Sequence, residues 1–158
     1  MGTGWSGNLK NMGFKGEVSY FVPRTNYLDA ENVWSASISL DYGFKNGLYI
    51  YGSALYNGSS TDLGGSIENL ALSGITAKNL MPFEFSGYLQ LAKEFSPIFS
   101  GSFSTVYSPT NHSVIVIPTL SYSLANNWEM DLISQSFFEF NGYKSLGHGI
   151  FFRIRWSF

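Results

Sequence analysis

Charged residues are scarce in this chain, and their positions are ordered. They make up 13% of its 158 residues, about half the share of an ordinary soluble domain. Lys15, Glu17, Asp41, Glu94, Glu129, Asp131, Arg153 and Arg155 all occupy positions that alternate with apolar or aromatic residues. Alternation with period two places such residues on one face of a β-strand. Charges gathered on one face support two kinds of chemistry. They can pair with one another and fill an interior, or they can line a passage and sort ions or anionic solutes by charge. Glu129 and Asp131 lie on a segment whose return partner carries Arg155 and Arg153, so ion pairs are expected across that seam.

Other chemistries have little support. The two histidines are His112, in Thr110-Asn111-His112-Ser113, and His148. Neither has a serine and a carboxylate at a spacing that suggests nucleophilic catalysis. His148 shares the apolar parity of its segment and reads as an interfacial side chain. Two histidines without cysteine do not make a structural zinc site. No phosphate loop or dinucleotide fingerprint occurs. No catalytic, cofactor-binding or metal-binding residue is therefore assigned, and a non-enzymatic protein without a cofactor is expected. The formal net charge is -2 and no basic stretch is present, which leaves nucleic-acid binding without electrostatic support.

The segments that carry these residues are read from alternation. Eight are expected, near 14–22, 33–44, 48–56, 85–95, 99–107, 114–124, 128–138 and 148–158. The clearest sets Trp34, Ala36, Ile38, Leu40, Tyr42 and Phe44 against Ser35, Ser37, Ser39, Asp41 and Gly43. In the third, Tyr49, Tyr51 and Leu55 blur the contrast. In the sixth, Pro118 cannot donate a ladder hydrogen bond, so a bulge or weak pairing is expected there. Short turns at 45–47, 96–97 and 125–127 alternate with longer links at 23–32, 57–84, 108–113 and 139–147. Ile67, Leu70, Ala71 and Leu72 in the longest link are expected to form a helical turn, either folded inward or covering the outside.

The composition constrains what these strands face. Aromatic residues reach 18%, and mean hydropathy is +0.01. No apolar run is long enough for a membrane helix, whereas a membrane barrel averages to neutrality by alternation. The polar positions are mostly Ser, Gly, Thr and Tyr, which suit a confined interior better than bulk water. Aromatics gather at strand ends, in two belts that match membrane interfaces. Trp34 and Phe44 are ten residues apart, which at a tilt of about 40° spans roughly 25 Å along the membrane normal. The expected fold is an all-β, antiparallel, up-and-down transmembrane barrel forming a single domain over 1–158.

Phe152, Ile154, Trp156 and Phe158 close the chain on the apolar face. This ending resembles the C-terminal signature of Gram-negative outer-membrane barrels. The resemblance implies an outer-membrane location, recognition by the barrel-assembly machinery during insertion, and contact with the lipid bilayer and lipopolysaccharide. Gly13–Glu17, Ala77–Pro82 and Leu120–Leu124 resemble the C-terminal portion of larger porin-like barrels of the alginate-export type. That resemblance implies passive solute passage and further strands before these.

No secretory leader is visible after Met1, so either a mature form with a new start or part of a longer protein is expected. Trp5, Gly7 and Leu9, before a turn at 10–12, read as the tail of a preceding strand. The alternative is an unstructured N-terminus beside a complete eight-stranded barrel, in which the first segment would meet the eighth and Glu17 would join the charges there. A porin-like channel, a small adhesive or structural barrel with a plugged interior, and a lipid-modifying enzyme stand as functional alternatives, in that order.

Overall fold

The computed structural model describes residues 1–22, 32–58, 83–110, 112–140 and 144–157. They form one nine-stranded sheet in which every strand pairs with its sequence neighbours. The strands are β1 Gly2–Leu9, β2 Met12–Phe21, β3 Val33–Gly43, β4 Leu48–Asn57, β5 Phe85–Ser96, β6 Phe99–Ser108, β7 Ser113–Ala125, β8 Trp128–Glu139 and β9 Lys144–Trp156. All pairings are antiparallel. The links 59–82 and most of 23–32 fall outside the described residues, as do Asn111, residues 141–143 and Phe158. The expected helical turn around Ile67 and Leu70–Leu72, and the resemblance at Ala77–Pro82, fall there too.

Nine strands are present, the eight expected segments and the preceding strand to which Trp5, Gly7 and Leu9 pointed. The additional strand is β1, which pairs with β2 from Gly2↔Ser19 to Leu9↔Met12. Its uncharged sequence, GTGWSGNL, gives a weak alternation signal because glycine occupies three of its eight positions. Two rings supply what the glycines omit. Trp5 lies over the space where a Cβ of Gly16 would be, and Phe14 lies over Gly7 in the same way. Each aromatic covers a cross-strand glycine, which fixes the register of β1 on β2.

The β1 strand also settles which edge is open. Had the sheet closed as eight strands, β2 would pair with β9. Instead β2 pairs with β1 on one side and β3 on the other. Glu17 faces Ser37 and Gly4, away from the charges of β8 and β9. The closed eight-stranded arrangement and the recruitment of Glu17 to that cluster are thus corrected.

The short turns have local causes. In the β3–β4 turn, Gly47 has φ of 79° and its amide donates to the Phe44 carbonyl at 3.1 Å. Asn46 Oδ1 accepts from the Leu48 amide at 3.2 Å. Glycine at a left-handed position and asparagine capping its own turn are the usual means of reversing a hairpin. Asn127, with φ of 67°, does the same between β7 and β8.

Register is continuous except at three places. Bulges fall at Glu94/Ser96, Ser123/Ala125 and Phe137/Phe138. The first two stand beside short turns, where an extra residue adds twist at a hairpin end. Pro118 behaves differently. The β7–β8 ladder has no partner pair at Ile117 or Pro118, yet it resumes at Thr119↔Ile133 in the same register as Val116↔Ser136. Pairing weakens at the proline without a bulge.

The described residues form no conventional core. Phe83 and Val106 are the buried hydrophobic residues among those described. Ile38, Leu40, Leu89, Leu120, Leu132 and Phe152 are all exposed, and register places them on one face. The opposite face carries most of the serines and of the strand charges, Lys93 beside Phe95 being an exception on the apolar face.

Candidate functional site: the polar face of the sheet

The polar face is assembled by register. Lys15 lies opposite Ser39, Asp41 opposite Tyr51, and Glu94 opposite Ser100. Farther along, Ser121 lies opposite Asp131, Asp131 opposite Arg153, and Glu129 opposite Arg155. Every charged residue singled out from the sequence is therefore on this face.

The charges divide into two groups. On β8 and β9 they are paired. Asp131 Oδ2 accepts from Arg153 Nε at 2.7 Å and lies 2.7 Å from a terminal nitrogen of the same guanidinium. Arg155 reaches Asp131 and Glu129, each at 3.4 Å. The hydroxyl of Ser121 donates to Asp131 Oδ1 at 2.7 Å, so both carboxylate oxygens have partners. This coordination compensates a carboxylate that is only 3% exposed, since a buried charge is tolerated when paired and hydrogen-bonded. The two arginine side chains are 57% and 52% exposed. They are tethered at one end and open to solvent at the other.

Lys15, Glu17, Asp41 and Glu94 take no part in a salt bridge among the described residues. Lys15, Glu17 and Asp41 stand apart from the arginines, on β2 and β3, while Glu94 on β5 lines the same recess as Arg155 without pairing to it. The sequence pattern placed all eight charges on one face; the sheet order separates them along it.

Two adjoining recesses mark this face near the short turns. One, of about 260 Å³, is lined by Tyr49, Glu94, Ser102 and Thr119 among others. The second, of about 340 Å³, is lined by Glu94, Glu129, Asp131 and Arg155 among others. Glu94, Ser100 and Ser121 belong to both, so together they form one hydroxyl-lined trough leading to the arginines. A larger recess, of about 570 Å³, includes Trp5, Val18, Ala36, Ile38, Ala54 and Tyr56 in its lining. Its walls are mostly apolar, so the trough is the better candidate for solute recognition.

Tyrosines belong to this site as well. Register places Tyr49, Tyr51 and Tyr88 on the polar face. The rings of Tyr51 and Tyr88 meet edge to face at 5.7 Å, and the Tyr88 hydroxyl donates to Ser104 Oγ at 3.1 Å. The parity of Tyr49 and Tyr51 is blurred in the sequence because aromatic residues occur on both faces of β4, whereas Tyr88 alternates with Leu89 on β5 as the sequence reads.

One polar pair sits on the opposite face. Ser136 Oγ and His148 Nδ1 are 2.7 Å apart, as register partners of β8 and β9. The apolar parity of His148 is as expected. Its serine partner was not read from the sequence, although Ser136 and His148 lie in the same register as Glu129↔Arg155 and Asp131↔Arg153. Among the described residues no carboxylate forms an ion pair with this histidine, and no group of acidic, histidine or cysteine residues suited to a metal occurs.

Phe152, Ile154 and Trp156 share the apolar face, and Trp156 stacks on Trp128 with ring centroids 6.0 Å apart. The same rim carries Tyr42–Phe44 at 4.6 Å and Phe95–Phe99 at 5.3 Å. The far rim carries Tyr20–Trp34 at 4.4 Å and Tyr56–Phe85 at 4.9 Å. Both ends of the sheet are thus edged by paired aromatics. No family model, curated protein or solved structure matches this chain, so the porin-like resemblance rests on the residues quoted for it.

Proposed function

We propose that this sheet is part of an outer-membrane β-barrel that passes small solutes across its polar face. The observation that carries the reading is the missing core. A nine-stranded sheet buries Phe83 and Val106 yet leaves a continuous apolar face uncovered. A soluble sheet buries one face against another layer, whereas a membrane barrel turns that face to lipid and keeps its polar residues inside. The paired aromatics at both rims suit the two interfaces of a bilayer. Lipid and lipopolysaccharide would then meet the apolar face, and the ending at Phe152, Ile154 and Trp156 would be read by the assembly machinery.

Passage is favoured over a plugged interior by the exposed arginines and the open trough. In a small closed barrel, interior side chains fill the space. Here Arg153 and Arg155 are more than half exposed despite their pairing.

The test has two stages. Outer-membrane fractions of the cells that make the protein are probed for it, and the extracted protein is reconstituted into planar bilayers. Integral membrane behaviour with stepwise conductance supports the proposal. A protein that remains in the aqueous fraction, or a membrane-inserted one that never conducts, refutes it.

A further inference from the structure

The two edges of the sheet constrain what completes it. Because all eight pairings are antiparallel, strand direction alternates along the sheet. β1 and β9 are both odd in the order, so they run in the same direction. A ring closed by β1 against β9 would have one parallel seam. Two copies set side by side in one membrane orientation would have two such seams, since each would again join an odd strand to an odd strand.

β1 is unguarded against pairing, and β9 carries its charges and its bulge toward its ends, with Arg153 and Arg155 tied back to β8 and an apolar middle. Sheets with true edges protect them with charge, proline or a bulge. β1 has no charged residue and no proline. β9 carries Ile150, Phe151 and Phe152 in succession, so both of its faces are apolar at that depth. In hydrocarbon, an unpaired backbone edge is not tolerated. On the membrane reading proposed above, both edges must be covered along their length.

We infer that an odd number of additional antiparallel strands joins β9 to β1, supplied by polypeptide that continues the sheet from outside this chain. An odd number restores alternation at both seams and gives an even total, the rule for bacterial barrels formed by one chain. Direct closure and a two-copy ring leave parallel seams, and parallel pairing is slightly weaker per residue.

The chain contains no cysteine, which makes disulfide trapping direct. In the cells that make the protein, one set of variants combines Ser6→Cys or Asn8→Cys on β1 with Phe151→Cys or Ser157→Cys at β9. A control combines Ser39→Cys with Ser53→Cys, partners across β3 and β4. Oxidation is expected to shift the gel mobility of the control and of no β1–β9 combination. The denatured native protein is expected to run heavier than 17.6 kDa. A β1–β9 disulfide, within one chain or between two copies, overturns the inference, as does a native mass of 17.6 kDa. Loss of the control disulfide together with absence from the membrane refutes the channel reading instead.

Discussion

Asp131 on β8 and Arg153 on β9 are register partners, and one carboxylate oxygen lies 2.7 Å from both Nε and a terminal nitrogen of the guanidinium. The acid is buried, the base half open, and Ser121 fills the remaining oxygen. Removing the acid leaves Arg153 without its partner and Arg155 with Glu129 alone. Asp131→Ala is expected to destabilise the folded sheet by about 1–2 kcal/mol, less than a fully buried pair because the arginines remain solvated. Arg153→Gln should cost less alone, and the double change should show coupling of about 1 kcal/mol in urea titrations of the lipid-inserted protein. Additivity would remove the pair as a structural element.

Charge selectivity follows from the same arrangement. Arg153 and Arg155 are neutralised by Asp131 and Glu129, and Glu139 lies opposite Lys144, while Glu94, Asp41 and Glu17 share the rest of the polar face with Lys15. Conductance across this wall is expected to favour cations. Neutralising both arginines should increase that preference, and Glu94→Lys with Asp41→Lys should reverse the sign of the zero-current potential in a salt gradient. A preference for anions in the unmodified protein would contradict this distribution.

The apolar face offers a test that separates lipid from water. Leu40 and Ser39 are neighbours on β3 and point to opposite faces. Leu40→Lys is expected to cost about 2–4 kcal/mol for insertion into lipid vesicles, the penalty for a cation near the bilayer midplane. Ser39→Lys should cost far less. Equal, small effects would mean that Leu40 faces water.

Glycine at position 16 makes room for the Trp5 indole. Gly16→Val is expected to displace that ring and destabilise the β1–β2 pairing by about 1–3 kcal/mol, as overpacking does. Fluorescence of Trp5 should change in parallel. Gly52→Ala, whose added carbon would meet only the Tyr88 carbonyl at 3.9 Å, should be nearly neutral and serves as the reference.

The Ser136–His148 pair distinguishes mutual satisfaction from catalysis. His148→Ala leaves a hydroxyl unpaired on the apolar face and is expected to cost about 1 kcal/mol, whereas Ser136→Ala with His148→Ala together should cost less. Neither change should affect lipid composition or ester hydrolysis in reconstituted vesicles. Hydrolysis that depends on both residues would turn the pair into an active site.

Alternation along β3 fixed the strand and its two faces from local information alone, because period two is a property of the backbone. The same alternation put the eight singled-out charges on one face. Glu129 and Asp131 were matched to Arg155 and Arg153 because the two residues within each segment share the same spacing and carry opposite charge. The same register pairs Ser136 with His148, but a serine and a histidine carry no charge complementarity that would point to it. β1 was the hardest element to read, as its glycines carry no alternation and its partners, Gly16 and Phe14, identify themselves only once the rings are in place. Which strand borders β2, how the charges divide between paired and open, and which edges remain uncovered are set by long-range pairing. No single segment holds that information, and only the tertiary structure decided it.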